Sequence, residues 1–157
     1  MSVKIPQLLL SIGVCLGAGF IGSFFTVSAI PTWYATLNKP IFSPPNLVFA
    51  PVWTTLYILM GISLYLVISD KRKVTSKKAV LIFAIQLVLN ILWSVIFFGL
   101  KNPTLAFIEI VALWVTIFLT IKYFYPISKL AAYLLIPYIL WVSFASILNL
   151  AIVLINP

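Results

Sequence analysis

Long stretches without a charged side chain are the feature that most limits how this chain can fold. No charged residue occurs between Ile5 and Asn38, and four further apolar runs of similar character follow. A helix needs ~20 mostly apolar residues to cross the hydrocarbon core of a bilayer. The sequence therefore predicts an all-α membrane protein, a bundle of five transmembrane helices in a single domain over residues 1–157. The predicted spans are residues 5–30, 46–69, 79–100, 103–125 and 130–155.

Composition excludes the main alternative fold classes. The chain is 64% hydrophobic and 8% charged, whereas a soluble domain is about 45–50% apolar and about 25% charged. The same hydrophobicity excludes intrinsic disorder. Strands of a membrane β-barrel alternate polar and apolar residues, and these unbroken runs do not.

The first apolar run has two interpretations. Val27-Ser28-Ala29 resembles the cleavage site of a signal peptide. The run is, however, longer than the ~7–15 apolar residues of such peptides. We therefore expect it to be retained as the first span.

The net charge of +8 is predicted to set membrane orientation rather than to bind nucleic acid. Five of the 10 cations lie in residues 70–78, between two apolar runs. Cytoplasmic loops carry an excess of Lys and Arg. Alternating spans place Lys4, this basic loop and Lys129 on one side, which leaves Lys39 and Lys101 on the other. We expect a multi-pass protein of the cell membrane, in contact with the lipid bilayer, with its N-terminus cytoplasmic and its C-terminus outside.

The long external connection between the first two spans, residues 31–45, is called the first loop below. Its prolines and aromatic residues are Pro31, Trp33, Tyr34, Pro40, Phe42, Pro44 and Pro45. One interpretation is a loop anchored at the membrane interface by its aromatic side chains. The other is a semi-rigid lid over a cavity between the helices, since long loops in compact domains are often functional.

Polar and aromatic residues repeat at helical spacing in three spans, and residues at this spacing share one helix face. The stripes are Phe49, Trp53, Tyr57 and Met60 in the second span, Gln86, Asn90, Trp93 and Phe97 in the third, and Tyr138, Trp141, Ala145 and Asn149 in the fifth. Amide side chains are unfavourable in lipid, so Gln86, Asn90 and Asn149 are expected to face inward. There they either tie helices together or line a cavity.

Prolines within the second and fifth spans are predicted to kink those helices. Pro51 and Pro137 each remove a helical hydrogen bond. Trp53 and Trp141 follow closely, and each either fills the gap at the kink or forms a flat wall for a planar ligand. Because the arrangement occurs in two helices facing an amide-bearing third, the pattern favours a cavity.

Small residues of the first span predict a close helix contact. Gly13 and Gly17, and likewise Ala18 and Gly22, are separated by three residues. This spacing allows two helices to approach closely. The contact lies either within one bundle or between two chains.

The sequence has no conventional catalytic constellation. It contains no His and 2 acidic residues, so imidazole catalysis, a metal site and paired-acid catalysis inside the membrane are not expected. Glu109 is the sole carboxylate within a predicted span. An intramembrane acid is a candidate functional group. The alternative function is therefore a small proton-coupled multidrug exporter using Glu109.

Two long motifs occur in the sequence, one over the first loop and the second span and the other within the fifth span. The first comprises Pro31, Trp33, Tyr34, Leu37, Lys39, Pro40, Phe42, Pro44, Pro45, Phe49, Pro51, Trp53 and Tyr57. The second comprises Pro137, Tyr138, Leu140, Trp141, Phe144, Ala145, Leu148 and Asn149, and Gln86, Asn90 and Trp93 lie between the two motifs. Together they closely resemble the signatures of the TspO/MBR family, also called tryptophan-rich sensory proteins or translocator proteins. The resemblance covers essentially the whole chain and is to bacterial-type members.

This resemblance implies a five-helix bundle, usually a homodimer, whose pocket lies beneath the first loop. The pocket would bind tetrapyrroles such as protoporphyrin IX and benzodiazepine-type or isoquinoline ligands, with no cofactor required and with transport or sensing as consequences. The expected ligand-binding residues are Trp33, Tyr34, Trp53, Tyr57, Gln86, Asn90, Trp93, Trp141, Ala145 and Asn149. Family members are also linked to light- and oxygen-dependent porphyrin breakdown, which would make Trp53 and Trp141 redox-active catalytic side chains.

One feature departs from the animal members of the family. Those proteins carry a cholesterol-recognition pattern, with a Tyr and a basic residue, at the end of the fifth helix. Residues 148–157 contain neither residue type. Sterol transport is therefore not expected.

Overall fold

A computed structural model describes residues 2–71 and 73–157, with side chains at all of these except 73–75. Within those ranges the chain forms helices and turns, without a β-strand. The helices are α1 (Ile5–Ala29), α2 (Asn46–Ile68), α3 (Lys73–Ser94), α4 (Pro103–Phe124), α5 (Lys129–Leu134) and α6 (Ile136–Ile155). A short 3₁₀ turn over Tyr34–Thr36 lies in the first loop, and a π-helical turn over Val95–Gly99 extends α3.

The predicted fold class, an all-α membrane protein with five spans, is confirmed. Five helical segments are long and apolar enough to cross a membrane, and α5 with α6 forms the last of them. The third helix begins at Lys73 rather than at the predicted residue 79. Lys is a good helix former, so the basic segment extends the helix beyond its apolar part.

The fifth apolar run forms two helices at the point where the sequence predicted a kink. α5 ends at Leu134, and α6 begins at Ile136 with Pro137 in its first turn. A proline ring clashes with the carbonyl four residues earlier, here that of Tyr133, and provides no N–H. Pro51, by contrast, is accommodated inside a continuous α2.

The bundle is assembled around close contacts of α1 with α2 and α3 and of α4 with α3 and α6, while α5 packs on α2. At the α1–α2 crossing, a Cβ added to Gly61 would lie 2.8 Å from the backbone nitrogen of Ile12. Ala18 and Gly22 are buried within this bundle. A Cβ at Gly13 would meet nothing within 4 Å. The two small-residue motifs of the first span therefore differ, and the contact inside the bundle involves Ala18 and Gly22.

Candidate functional site

A cavity of about 240 Å³, called the aromatic cavity below, lies among α1, α2, α3, α4 and α6 and is lined in part by the first loop. Its aromatic lining residues are Tyr34, Phe49, Trp53, Tyr57, Trp93, Phe97, Phe98 and Trp141. Its polar lining residues are Ser23, Thr26, Asn46, Asn90, Ser94 and Asn149. A mostly apolar concave site with a few polar groups is typical of small-molecule binding sites.

Most of the predicted ligand-binding residues are brought together around this cavity. Those that line it are Tyr34, Trp53, Tyr57, Asn90, Trp93, Trp141, Ala145 and Asn149. Trp33 and Gln86 do not. The ring of Trp33 packs edge-on against Phe97, with 5.6 Å between centroids, so it supports the wall from behind. Gln86 is buried among the helices, where its amide takes part in a hydrogen-bond network.

Several lining residues were not predicted as part of the site. Gly19 and Gly22 of α1 face the cavity, where a Cβ at Gly22 would lie 3.2 Å from Ser94 Oγ. The spacing of Ala18 and Gly22 predicts a close helix contact, but it does not predict that a cavity lies beside that contact. Ile110 and Leu113 of α4 also line the cavity. The sequence could not identify these two residues as lining a cavity, because apolar residues are equally expected to face lipid.

A buried hydrogen-bond network joins α2, α3 and α6 at the cavity. The Tyr57 hydroxyl donates to Asn90 Oδ1 over 2.5 Å, and Asn90 Nδ2 donates to the Tyr138 hydroxyl oxygen over 2.8 Å. The Tyr138 hydroxyl in turn donates to Gln86 Oε1 over 2.8 Å. Gln86 Nε2 lies 3.9 Å from the Met60 sulfur, a weak acceptor. Asn90 therefore both ties helices together and lines the cavity, whereas Gln86 only ties them.

Asn149 makes a second tie close to the first loop. Its Oδ1 accepts from Trp93 Nε1 over 3.1 Å, and its Nδ2 donates to the carbonyl of Pro103 over 2.8 Å. One side chain of α6 thus holds a wall of the cavity on α3 and the beginning of α4. Because unpaired amides are costly in lipid, these bonds also specify how the helices pack.

The Tyr138→Phe variant is expected to lose about 2 kcal/mol of stability, since it leaves buried groups of Asn90 and Gln86 unpaired. Unfolding of the purified protein in mixed micelles by increasing denaturant would measure the loss. Tyr133→Phe is a matched control, because Tyr133 lies on the exposed surface. Equal destabilisation by the two variants would contradict the assigned role of the network.

The indole rings of Trp53 and Trp141 form flat parts of the wall. Trp53 stacks on Tyr57 with 5.6 Å between centroids and an interplanar angle of 29°. Trp141 lies between Phe49 and Phe144, with centroid distances of 6.1 and 5.4 Å. Such surfaces favour contact with planar apolar ligands.

The first loop supplies Tyr34 to the cavity wall. The Tyr34 ring is buried against Phe98, and Lys39 Nζ lies 4.6 Å from its centroid. Burial raises the pKa of the Tyr34 hydroxyl, although a hydrogen bond with Ser43 opposes this effect, so the residue stays neutral at pH 7. The lid interpretation of the first loop thus has a structural basis in Tyr34.

A pair of hydrogen bonds fastens the first loop to the end of α6. The backbone N–H of Asn38 donates to Asn156 Oδ1, and Asn156 Nδ2 donates back to the Asn38 carbonyl, both over 2.9 Å. The loop is therefore held in place by the C-terminal end of the bundle.

Glu109 lies on α4 outside the cavity lining. Both carboxyl oxygens are buried, and they have no hydrogen-bond partner among the described residues. Within residues 2–71 and 73–157, no three His, Cys, Asp or Glu side chains come together as a metal-binding group would require.

Five membrane-length helices around an aromatic cavity define a multi-pass helical membrane protein. Comparison with known sequences identifies its family. The chain belongs to the TspO/MBR family, whose family model matches residues 11–155. The resemblance of the two sequence motifs is thereby confirmed.

Its relatives include bacterial, archaeal and animal proteins. The chain is 46% identical over 158 residues to the Tryptophan-rich protein TspO of Chlorobaculum tepidum, covering 100% of both chains. It is 47% identical over 154 residues to the protein of the same name from Archaeoglobus fulgidus, covering 98% of this chain and 99% of the relative. It is 37% identical over 147 residues to the Translocator protein of Homo sapiens, covering 92% of this chain and 86% of the human protein.

Proposed function

We propose that this protein is a membrane receptor for planar tetrapyrroles such as protoporphyrin IX, and for benzodiazepine-type or isoquinoline ligands. Transport, sensing or breakdown of the tetrapyrrole would follow from binding. The observation that carries the proposal is the aromatic cavity, in which Trp53 and Trp141 offer flat surfaces and Asn90 and Asn149 supply polar groups.

The chemistry of the lining suits an apolar macrocycle. No charged residue is among those that line the cavity in the described part of the chain. Stacking and apolar contact would hold the ring, since aromatic faces attract planar ligands without needing a metal ligand. Lys39 Nζ lies 4.6 Å from the centroid of the Tyr34 ring, so a carboxylate substituent that reached the first loop would be attracted by its positive charge.

Titration with protoporphyrin IX in detergent micelles tests this proposal. The Trp53 and Trp141 rings line the cavity, so bound porphyrin should quench tryptophan fluorescence to a saturable limit. A benzodiazepine-type ligand added to the complex should displace the porphyrin and so restore the tryptophan fluorescence. Quenching that rises linearly with porphyrin and never saturates would contradict a binding site.

Light-dependent breakdown of the bound porphyrin is a second candidate function, favoured because Trp53 and Trp141 face the same cavity. Dioxygen would be the oxidant and would take up the electrons that the porphyrin loses. An indole would pass one electron to the excited ring and later regain one from it, so the tryptophan would be unchanged overall. Illumination of the complex should bleach porphyrin absorption faster than illumination of free porphyrin. The Trp53→Phe, Trp141→Phe double variant should bind porphyrin yet lose this acceleration; unchanged bleaching in that variant would exclude the role.

The proton-coupled exporter remains an alternative that the site supports less well. Glu109 is absent from the cavity lining, so a ligand there would not contact its carboxyl group. Binding that persists in Glu109→Gln without any proton-linked efflux in the native protein would leave the receptor as the better description.

We place the protein in the cell membrane as a homodimer, with the N-terminus cytoplasmic and the C-terminus outside. The Asn38–Asn156 hydrogen bonds support a common side for the first loop and the C-terminus. The basic residues of segment 70–78 then favour the opposite, cytoplasmic side. A reporter enzyme active only outside the cytoplasm should work when fused after Pro157.

A further inference from the structure

A second concavity adjoins the aromatic cavity on the outside of the bundle. It is a shallow apolar groove between α2 and α6, called the α2/α6 groove below. Its lining residues are Pro51, Val52, Thr55, Leu56, Leu59, Pro137, Leu140, Trp141 and Phe144. Trp141 is the one residue that appears in the lining of both this groove and the aromatic cavity. On this side of the bundle, the Trp141 side chain therefore lies between the aromatic cavity and the α2/α6 groove.

The break between α5 and α6 accounts for the groove. α5 packs closely on α2, but the helix is interrupted at Leu135. Beyond this break the backbones of α6 and α2 no longer approach each other closely. Pro51 and Pro137 both lie in the groove. The contact line between α2 and α6, called the seam below, is thus closed by side chains rather than by closely packed backbones.

Trp141 closes this seam without a hydrogen bond to hold it. Its Nε1 is buried and has no hydrogen-bond partner among the described residues. By contrast, Trp93 Nε1 donates to Asn149 over 3.1 Å, and Trp114 Nε1 donates to the Ser143 hydroxyl over 2.7 Å. Buried Trp N–H groups usually find a partner. Rotation of Trp141 would therefore break ring contacts but no hydrogen bond.

The aromatic cavity is small for a planar ligand, and rotation of Trp141 would enlarge it. Its volume of about 240 Å³ is smaller than the ~300–1,000 Å³ of typical ligand pockets. The first loop cannot yield space without breaking the bonds between Asn38 and Asn156. Displacement of the Trp141 ring would join the cavity to the α2/α6 groove and enlarge the space available to a planar ligand.

We propose that Trp141 is a movable partition, and that ligands dissolved in the bilayer enter and leave the aromatic cavity sideways through the α2/α6 groove. The proposal rests on the receptor function proposed above and adds the route by which an apolar planar ligand reaches the site. Such a ligand partitions into the hydrocarbon region, so a lateral path keeps it out of water throughout.

Neighbouring threonines on α2 offer a matched test. Thr54 and Thr55 are both exposed, and each hydroxyl donates to the carbonyl four residues earlier, over 2.8 and 2.9 Å. Thr55 lines the groove, whereas Thr54 lines neither concavity. Thr55→Phe should obstruct the groove, and Thr54→Phe adds the same ring to the lipid-facing surface elsewhere.

The experiment uses the full protein in phosphatidylcholine vesicles and protoporphyrin IX as the probe. Tryptophan quenching after rapid mixing gives the rate of association, and recovery after dilution into excess empty vesicles gives the rate of dissociation. Thr55→Phe should slow both rates by about tenfold, because it raises the barrier to passage through the groove. The equilibrium Kd should stay the same, because the bound site is unchanged. Thr54→Phe should match the native protein, and Trp141→Ala should speed both rates.

Each result bears on the proposal. Equal rates in Thr55→Phe and Thr54→Phe, with saturable binding in both, would overturn the lateral route and leave the receptor function intact. A change in Kd carried by dissociation alone would also overturn it, because the groove would then be part of the bound site. Absence of saturable binding to the native protein in equilibrium titration would overturn both proposals.

Discussion

The Gly61→Ala variant is expected to lose about 3 kcal/mol of folding stability, at the upper end of the usual range for overpacking. A Cβ at this position would meet the backbone of Ile12, including its nitrogen at 2.8 Å. A backbone atom cannot turn aside as a flexible side chain can. The whole of α1 would have to move away from α2, and contacts along the crossing would be lost.

Unfolding by denaturant in mixed micelles, followed by circular dichroism, would measure this loss. Gly13→Ala is the matched control, because a Cβ there would meet nothing within 4 Å. Alanine favours a helix interior over glycine by ~1 kcal/mol, so the control should keep or increase stability. Similar stability of the two variants would show that the α1–α2 crossing is not as close as described.

The Trp53→Ala variant is expected to bind protoporphyrin IX about 10- to 100-fold more weakly, because stacking of a ring on an aromatic side chain is worth ~1–3 kcal/mol. Trp53 lines the cavity and stacks on Tyr57. Trp53→Phe should retain part of the affinity, since a smaller aromatic face remains. Porphyrin absorption, which does not depend on the number of tryptophans, would report the binding curves.

Trp114→Ala provides the control for this loss. Trp114 stacks on Phe118 with 5.9 Å between centroids, donates to Ser143 and lies outside the cavity lining. Its removal deletes an equally large side chain from the lipid-facing side and should leave porphyrin affinity within a factor of about two. If Trp114→Ala weakened binding as much as Trp53→Ala, the ligand would not be held in the aromatic cavity.

Much of the site could be predicted from residue spacing. Trp53 and Tyr57 lie on one face of α2, and Asn90 and Trp93 lie on one face of α3, as the helical period requires. Amides avoid lipid, so their inward direction followed as well. Spacing could not separate Asn90 from Gln86, because both face inward and both hydrogen-bond to Tyr138. Only the packing of the helices decides that Asn90 lines the cavity and Gln86 does not.

Other parts of the site depend on neighbours that are remote in sequence. Trp33 lies in the predicted lid, yet its ring packs against Phe97, and of these two residues only Phe97 lines the cavity. The seam at Trp141 depends on how far α6 diverges from α2 after the break at Leu135. A proline predicts that a helix is disturbed, but not the direction in which the following segment leaves.

The apolar runs determined that this chain is a bundle of five membrane-spanning helices, because in lipid each backbone polar group must be satisfied within its own helix. The helical period likewise determined which side chains share a face. Tertiary structure alone decided that Gly19 and Gly22 of α1 line the cavity, and that Trp141 lines both the cavity and the α2/α6 groove. The physical reason is that burial depends on what stands opposite a helix face, and that partner is chosen by packing of distant segments.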